Sequence, residues 1–401
     1  MLKQALTRPA ILGLALLCLV VATGTSLSNF SSANTARTRP ELVVHEWGTF
    51  TSVAGQEGRA LVWRPLSVES DLPSFVYSVD KGDTWRGLRY PSKSGLAVRV
   101  RMETPVLYFY ATEAMTVAVK VGFPSGRITE WYPTAEVSKG SIDWGELRVM
   151  PGAQVYLPND FRENHYYPAR DTDAAAIQVR RDQVSEQEKF LFYRGVGNFD
   201  LPLSVRPVED KVVIKNVGEE NVRKVVLFEN RGGRIGYQIS DLPLDLSSSE
   251  VTLARPELRG DLEDLRRELK AMLISEGLYE KEAAAMLNTW RDSWFEEGLR
   301  VFYIMPRKTT DTILPIEIDP QPAGLVRVLL GRTEMVTPEM EKRVTAQLKT
   351  LNDPSVGVRE TALKEINRYG RFAESILTQI LSHTSDPQIK MEVERLLKER
   401  N

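Results

Sequence analysis

The 401-residue chain has one cysteine and three histidines. The cysteine, Cys18, sits in an apolar N-terminal stretch, and the residues before it, Ala15-Leu16-Leu17, do not form a lipoprotein site. A mature chain cut beyond Cys18 has no thiol, which excludes disulfides, a thiolate nucleophile and cysteine-held zinc or iron–sulfur centres. The chain also lacks a Gly-x-Ser-x-Gly elbow, a Walker-type loop, His-Glu-x-x-His, an EF-hand loop and Cys-x-x-Cys. Gly195-Val196-Gly197 has no third glycine and no following helix, so it reads as a strand end with a bulge or turn rather than a dinucleotide loop. Formal charge is only −2, without the basic excess that nucleic acid or an anionic membrane would select. What remains is an ordinary globular balance, 42% hydrophobic and 26% charged, in a chain long enough for two or three domains.

Residues 1–24 have the layout of a secretory signal peptide. Lys3 and Arg8 precede an apolar run from Ala10 to Ala22, and Ala22-Thr23-Gly24 supplies small residues for cleavage. That run is shorter than the ~20 residues a spanning helix needs, so a retained anchor is the lesser alternative. Cleavage removes two cations and takes the formal charge from −2 to −4. The expectation is an exported protein, periplasmic or extracellular, with no membrane span after cleavage.

Residues 25–40 read as a polar flexible leader. From 41 to 250, short β-branched and aromatic runs recur between turn signals: Leu42–Val44, Ala97–Arg101, Val106–Ala111, Met115–Val121, Arg127–Trp131, Glu146–Met150, Phe190–Arg194, Lys211–Lys215, Lys224–Phe228 and Arg234–Ile239. Alternation in several of them predicts a mainly β, antiparallel, sandwich-like region, as one large or two small sheet domains. Residues 251–350 read as an α+β section. It has an αα-hairpin from Leu258 to Ile274 and Glu280 to Gly298, strands at Val301–Met305, Ile313–Ile318 and Leu325–Leu330, and a helix from Pro338 to Leu351. In the tail, 351–401, Asp353-Pro354-Ser355-Val356 recurs as Asp386-Pro387-Gln388-Ile389 at an offset of 33. With a helix at Ala373–Ser382 between them, these units resemble HEAT-type repeats, too few to stand alone and expected to dock on the preceding section.

Four strings carry a wider resemblance: His45-Glu46-Trp47-Gly48-Thr49-Phe50-Thr51-Ser52, Met102-Glu103-Thr104-Pro105-Val106-Leu107-Tyr108-Phe109-Tyr110, Lys189-Phe190-Leu191-Phe192-Tyr193-Arg194-Gly195-Val196-Gly197-Asn198-Phe199, and Trp294-Phe295-Glu296-Glu297-Gly298. They resemble a family of exported proteins of soil and aquatic bacteria such as acidobacteria and planctomycetes. The resemblance runs from about Val43 to Pro338. It implies kinship and export, and it assigns no catalytic residue.

The candidate chemistry lies in two places. The stretch Pro151–Asp173 reads as a long loop, and its second half packs His165, Tyr166, Tyr167, Arg170, Asp171 and Asp173 into a few residues, a density that on a loop points to a site. His45 and Glu46 end an apolar run, and as strand neighbours they point to opposite faces. Joined in space, His45, Glu46, His165, Asp171 and Asp173 would form the site of a metal-assisted hydrolase acting on an envelope or extracellular polymer, with His45, His165 and Asp173 as ligands of a divalent cation. The bland alternatives are backbone-bonded histidines, Arg–Asp pairing and core tyrosines. Arg194 and Glu103 add an anion-binding or pairing cation and a strand-flanking carboxylate. Glu130, Asp143 and Glu188 with Trp47, Trp63, Trp85, Trp131 and Trp144 suggest carbohydrate recognition if two tryptophans are exposed and coplanar. His383 reads as a surface or capping residue, and Trp290 with Trp294 as a packing face. The leading expectation is a non-enzymatic binding protein of the envelope, without a cofactor, meeting another envelope protein through the HEAT-like tail.

Overall fold

Alternating runs become strands wherever one face can be buried, and the strands form in the order β1 (Leu42–Ala54), β2 (Tyr77–Ser78), β3 (Val100–Ala111), β4 (Met115–Gly122), β5 (Gly126–Tyr132), β6 (Glu136–Ser138), β7 (Ser141–Met150), β8 (Ala176–Arg181), β9 (Val184–Glu188), β10 (Leu191–Gly197), β11 (Leu203–Val208), β12 (Lys211–Asn216), β13 (Lys224–Arg231), β14 (Arg234–Asp241), β15 (Glu250–Ala254), β16 (Gly298–Ile304), β17 (Ile316–Asp319) and β18 (Gly324–Met335). The helices are α1 (Leu262–Ser275), α2 (Glu280–Thr289), α3 (Arg307–Ile313), α4 (Pro338–Thr350), α5 (Val356–Asn367), α6 (Ala373–His383) and α7 (Pro387–Glu399). The computed structural model describes residues 41–66, 71–80, 93–243 and 250–399. The signal-like segment, the leader and Trp85 lie outside the described residues.

The protein is mainly β with a helix-rich C-terminal part, but its central element departs from an antiparallel sandwich. A nine-stranded mixed sheet runs β14-β13-β16-β18-β1-β3-β10-β5-β2. Its middle pair, β1 with β18, is parallel from Val43↔Gly324 to Ala54↔Met335. The N-terminal region and the α+β section therefore share one sheet, and from residue 40 onward the chain forms a single contact unit without a break at 250 or 350. Among the described residues two smaller sheets accompany the nine-stranded one, β17-β4-β7-β8-β9 with β6 on β7, and β11-β12-β15.

Alternation along β1 sorts the layers. Val44 and Phe50 join a cluster with Val117, Val119, Ile142, Trp144, Ile177, Val205 and Ile214 of the smaller sheets. Trp47 points the other way, into a cluster with Val328 and Leu330 of β18, Leu265, Leu269 and Leu273 of α1, Met286 of α2, and Trp290 and Trp294. Val53 continues that face into a third cluster with Val344 and Leu348 of α4, Ile366 of α5, Ile376 and Ile380 of α6, and Val393 of α7. The tail helices thus pack on α4 and on the end of the central sheet.

Local chemistry sets the ends. Asp261 caps α1 by accepting from the backbone N–H groups of Glu263 and Asp264. Gly277 turns the hairpin at φ +108, and a Cβ there would meet Val326 Cγ1 at 3.1 Å. α2 stops at Thr289, well short of the expected Gly298. Ile313 ends helix α3 rather than beginning a strand. Asp386 caps α7 through the N–H groups of Gln388 and Ile389. The matching Asp353 bonds the N–H of Ser355 instead, and α5 begins at Val356.

Between the hairpin-covered and tail-covered ends of the helix-facing side runs a buried polar belt. Arg332, Thr51 and Arg101 are register neighbours across β18, β1 and β3, and Arg300 faces Glu334 across β16 and β18. Thr51 Oγ1 donates to Glu103 at 2.8 Å, and Arg371, just ahead of α6, donates to the same carboxylate at 2.7 Å. Arg332 bonds Glu296 at 2.8 Å and Glu334 at 2.6 Å. Burial would raise the Glu103 pKa, but the guanidiniums of Arg371, Arg101 and Arg332 outweigh it and hold the carboxyl down at about 2.

Candidate functional site

The long connection after β7 begins with a turn at Gly152, φ 70, and then builds its own framework from short polar side chains. Asn159 Oδ1 accepts from Phe161 N at 2.7 Å. Asp160 accepts from Ser74 N at 2.8 Å, from the Tyr167 hydroxyl at 2.8 Å and from the Arg162 guanidinium. Asn164 Oδ1 takes the N–H groups of Tyr166 and Tyr167. Such side-chain-to-backbone bonds replace a strand ladder and fix an irregular path. On this frame Tyr156 and Phe161 stand 85% and 89% exposed. Phe161 adopts φ 60, a conformation a bulky L residue enters at a cost of order 1 kcal/mol.

His165 ties the loop to two distant segments. Its Nδ1 lies 2.6 Å from Asp71 Oδ2 and its Nε2 lies 2.8 Å from Asp292 Oδ1, just past α2. Both ring nitrogens donate only when the imidazole is protonated. Desolvation works against the charge, yet Asp71 and Asp292 outweigh it and raise the His165 pKa above the usual 6.5. Asp71 also accepts two bonds from the buried Arg194, at 2.6 and 3.0 Å. Against its own desolvation, Arg194 and His165 hold the Asp71 carboxyl well below the ordinary range. The Trp290 ring lies 5.3 Å from the imidazole centroid.

Tyr166 and Arg170 turn inward from the loop, while Asp171 and Asp173 stay at the surface. Tyr166 is buried and donates to Glu188 at 2.9 Å. Arg170 forks onto the same carboxylate at 2.6 Å while lying over the rings of Phe75, Tyr166 and Tyr167. Asp171 is exposed, and Asp173 pairs with Lys281 at 2.5 Å.

The strand residues go elsewhere. His45 donates to Glu282 Oε2 at 2.8 Å. The same glutamate takes the N–H of Tyr279 at the start of α2 and the hydroxyl of Tyr110, both at 2.7 Å. His45 therefore pins the helical hairpin to the sheet. Glu46 points to the opposite face, paired with Arg327 at 2.5 Å and bonded by the Tyr193 hydroxyl. The five-residue metal constellation is not assembled: His45 meets the first turn of α2 and His165 the Trp290 end, roughly 12 Å apart at 1.5 Å per residue. Strand alternation separates Glu46 from both. Among the described residues no group of three or more His, Cys, Asp or Glu side chains is arranged to hold a metal ion. Glu103 belongs to the polar belt, and Arg194 to the Asp71 clamp.

Coplanar exposed tryptophans are likewise missing among the described residues. Trp47, Trp63, Trp144, Trp290 and Trp294 are buried, and Trp131 is half-buried, stacked on Tyr77. Sequence reasoning missed Asp71 and Asp292, which lie 94 and 127 residues from His165. It also missed Tyr156 and Phe161, whose only signal was bulk inside a stretch of turn residues.

No family model and no curated protein matches the chain. Among solved structures it is similar to a yeast delta-COP-I mu-homology domain complexed with a Dsl1 WxWxV peptide, at 9% identity over 74% of this chain and 98% of that one, with a TM-score of 0.28. A likeness of that size carries no argument about fold or function.

Proposed function

We propose that the chain is an exported, non-enzymatic binding protein of the cell envelope, and that the loop from Pro151 to Asp173 is its recognition element. The observation that carries this reading is the display of Tyr156 and Phe161, 85% and 89% exposed, on a loop held by its own hydrogen bonds. Aromatic side chains on a fixed frame are the anchors that dominate protein interfaces. Full burial of such a side chain on contact is worth on the order of 1.5–3 kcal/mol before the entropy of association is subtracted. Arg162, Glu163 and Arg291 give the surroundings the polar rim that such anchors need.

The tail offers a second surface. Val358 on α5 and Met391 on α7 occupy corresponding positions of the 33-residue offset, and both are exposed. This supports the HEAT-like reading, in which equivalent positions line a contact face.

Photocrosslinking in the producing cell tests the loop. A benzophenone amino acid is placed at Phe161, with Val184, 42% exposed on edge strand β9, as control. The expected result is a discrete protein adduct at 161 that is absent at 184. Equal backgrounds at both positions defeat the protein-partner reading. If Phe161→Ala also loses glycan binding in that case, the ligand is a polysaccharide. Export is checked by the intact mass of the natively produced protein, which should lack residues 1–24.

A further inference from the structure

We propose that His165 is a pH-sensitive latch: while protonated it fixes the recognition loop to the end of α2, and when neutral it lets that connection go. The proposal deepens the binding reading and rests on it. Its basis is geometric. Asp71 and Asp292 approach opposite nitrogens of one ring at 2.6 and 2.8 Å, and a neutral imidazole has a single N–H to offer two carboxylates. One contact must then become lone pair against lone pair.

The neighbours decide which contact fails. Asp71 lies ahead of β2 and is held by the buried Arg194 of β10, with the charge of Arg101 of β3 behind it. It therefore stays in place and keeps the Nδ1–H. Asp292 is 65% exposed, and its side chain has the imidazole as its ionic partner. Its Oδ1 also accepts the Ser293 N–H at 2.7 Å, so the carboxylate keeps that local bond and exchanges the imidazole for water when the proton leaves. From the same end of α2, Trp290 offers its ring, and Arg291 pairs with Glu163 beside His165. The transition belongs to the imidazole, the side chain of this contact whose ordinary pKa lies nearest neutrality.

The sign follows from the direction of the shift. A folded pKa above 6.5 means that the latch contributes fully below 6.5 and is lost as pH rises through the raised value. Surroundings more acidic than that raised value keep Tyr156 and Phe161 on a fixed loop, and surroundings more alkaline than it loosen the loop. Partner affinity should fall with the proton.

The test uses the full chain with ¹³C-labelled histidine, whose three resonances are assigned by loss in His165→Gln. Amide exchange of peptides covering 159–172, corrected for its intrinsic pH dependence, is measured on both sides of the His165 midpoint. The wild type should exchange about threefold or more faster above the midpoint. His165→Gln should show no such step, and Asp292→Asn should lower the midpoint and shrink the step. A loop whose exchange ignores the His165 midpoint overturns the latch, as does an unchanged step in His165→Gln. Should His165→Gln fail to fold, Asp292→Asn decides, because its side chain lies mostly in solvent. The exchange step needs no partner, so its failure strikes the latch alone, whereas failed crosslinking at 161 strikes the binding reading.

Discussion

Replacing Glu103 by Gln tests the polar belt most directly. The carboxylate is fully buried, with Arg371 at 2.7 Å, Arg101 at 3.4 Å and the Thr51 hydroxyl at 2.8 Å. Its pKa falls from 4.5 to about 2 on folding. At about 1.4 kcal/mol per unit, ionisation of this one group stabilises the native state by on the order of 3 kcal/mol. A depressed folded pKa places that stability above pH 4.5, and it is lost as pH falls through about 2. Urea unfolding between pH 2 and 6 should therefore show a steep wild-type decline that is shallower in Glu103→Gln by roughly that amount. At neutral pH the variant should be less stable by about 3–5 kcal/mol, since the Arg371 and Arg101 guanidiniums lose their buried counter-charge. Parallel curves for the two proteins at acid pH would show that Glu103 is not the group whose protonation weakens the fold.

Phe161→Gly should stabilise the isolated protein by about 0.5–1 kcal/mol, because glycine enters φ 60 without steric cost, while abolishing crosslinking or binding through the loop; thermal melts and binding must move in opposite directions. Trp294→Ala, a fully buried ring between α2 and β16, should cost about 3–5 kcal/mol in chemical unfolding. Val393→Asp puts a charge into the tail cluster at a fully buried position, and limited proteolysis should then release fragments from beyond residue 337 while the sheet remains protected.

Sequence patterning located most of this architecture because alternation reports directly on a half-buried sheet. Val117, Val119 and Val121 alternate with exposed or half-exposed neighbours, and β4 lies where they do. β1 shows where such reading stops. Its apolar run ends at Val44, yet the strand continues to Ala54, because His45, Glu46 and Thr51 find buried partners in Glu282, Arg327 and Glu103. A polar side chain reads as exposed until its partner is known, and here the partners lie 237, 281 and 52 residues away. The same distance hid the parallel pairing. The loop was legible from its density of turn formers and ionisable groups. Its exposed aromatics were not, because bulk alone suggests burial and only the hydrogen-bonded frame turns these two rings outward.

The pairing of β1 with β18 has a consequence for the order in which the molecule can be made. The first strand of the central sheet must wait for one of the last, so the sheet cannot close on a growing chain until Met335 has been synthesised. Contacts of such sequence separation make for slow folding. A polypeptide halted before Gly324 carries β1 as a bare edge rich in Val, Trp and Phe, a template for pairing with other chains. Premature termination within this span should therefore yield aggregates rather than shorter folded proteins.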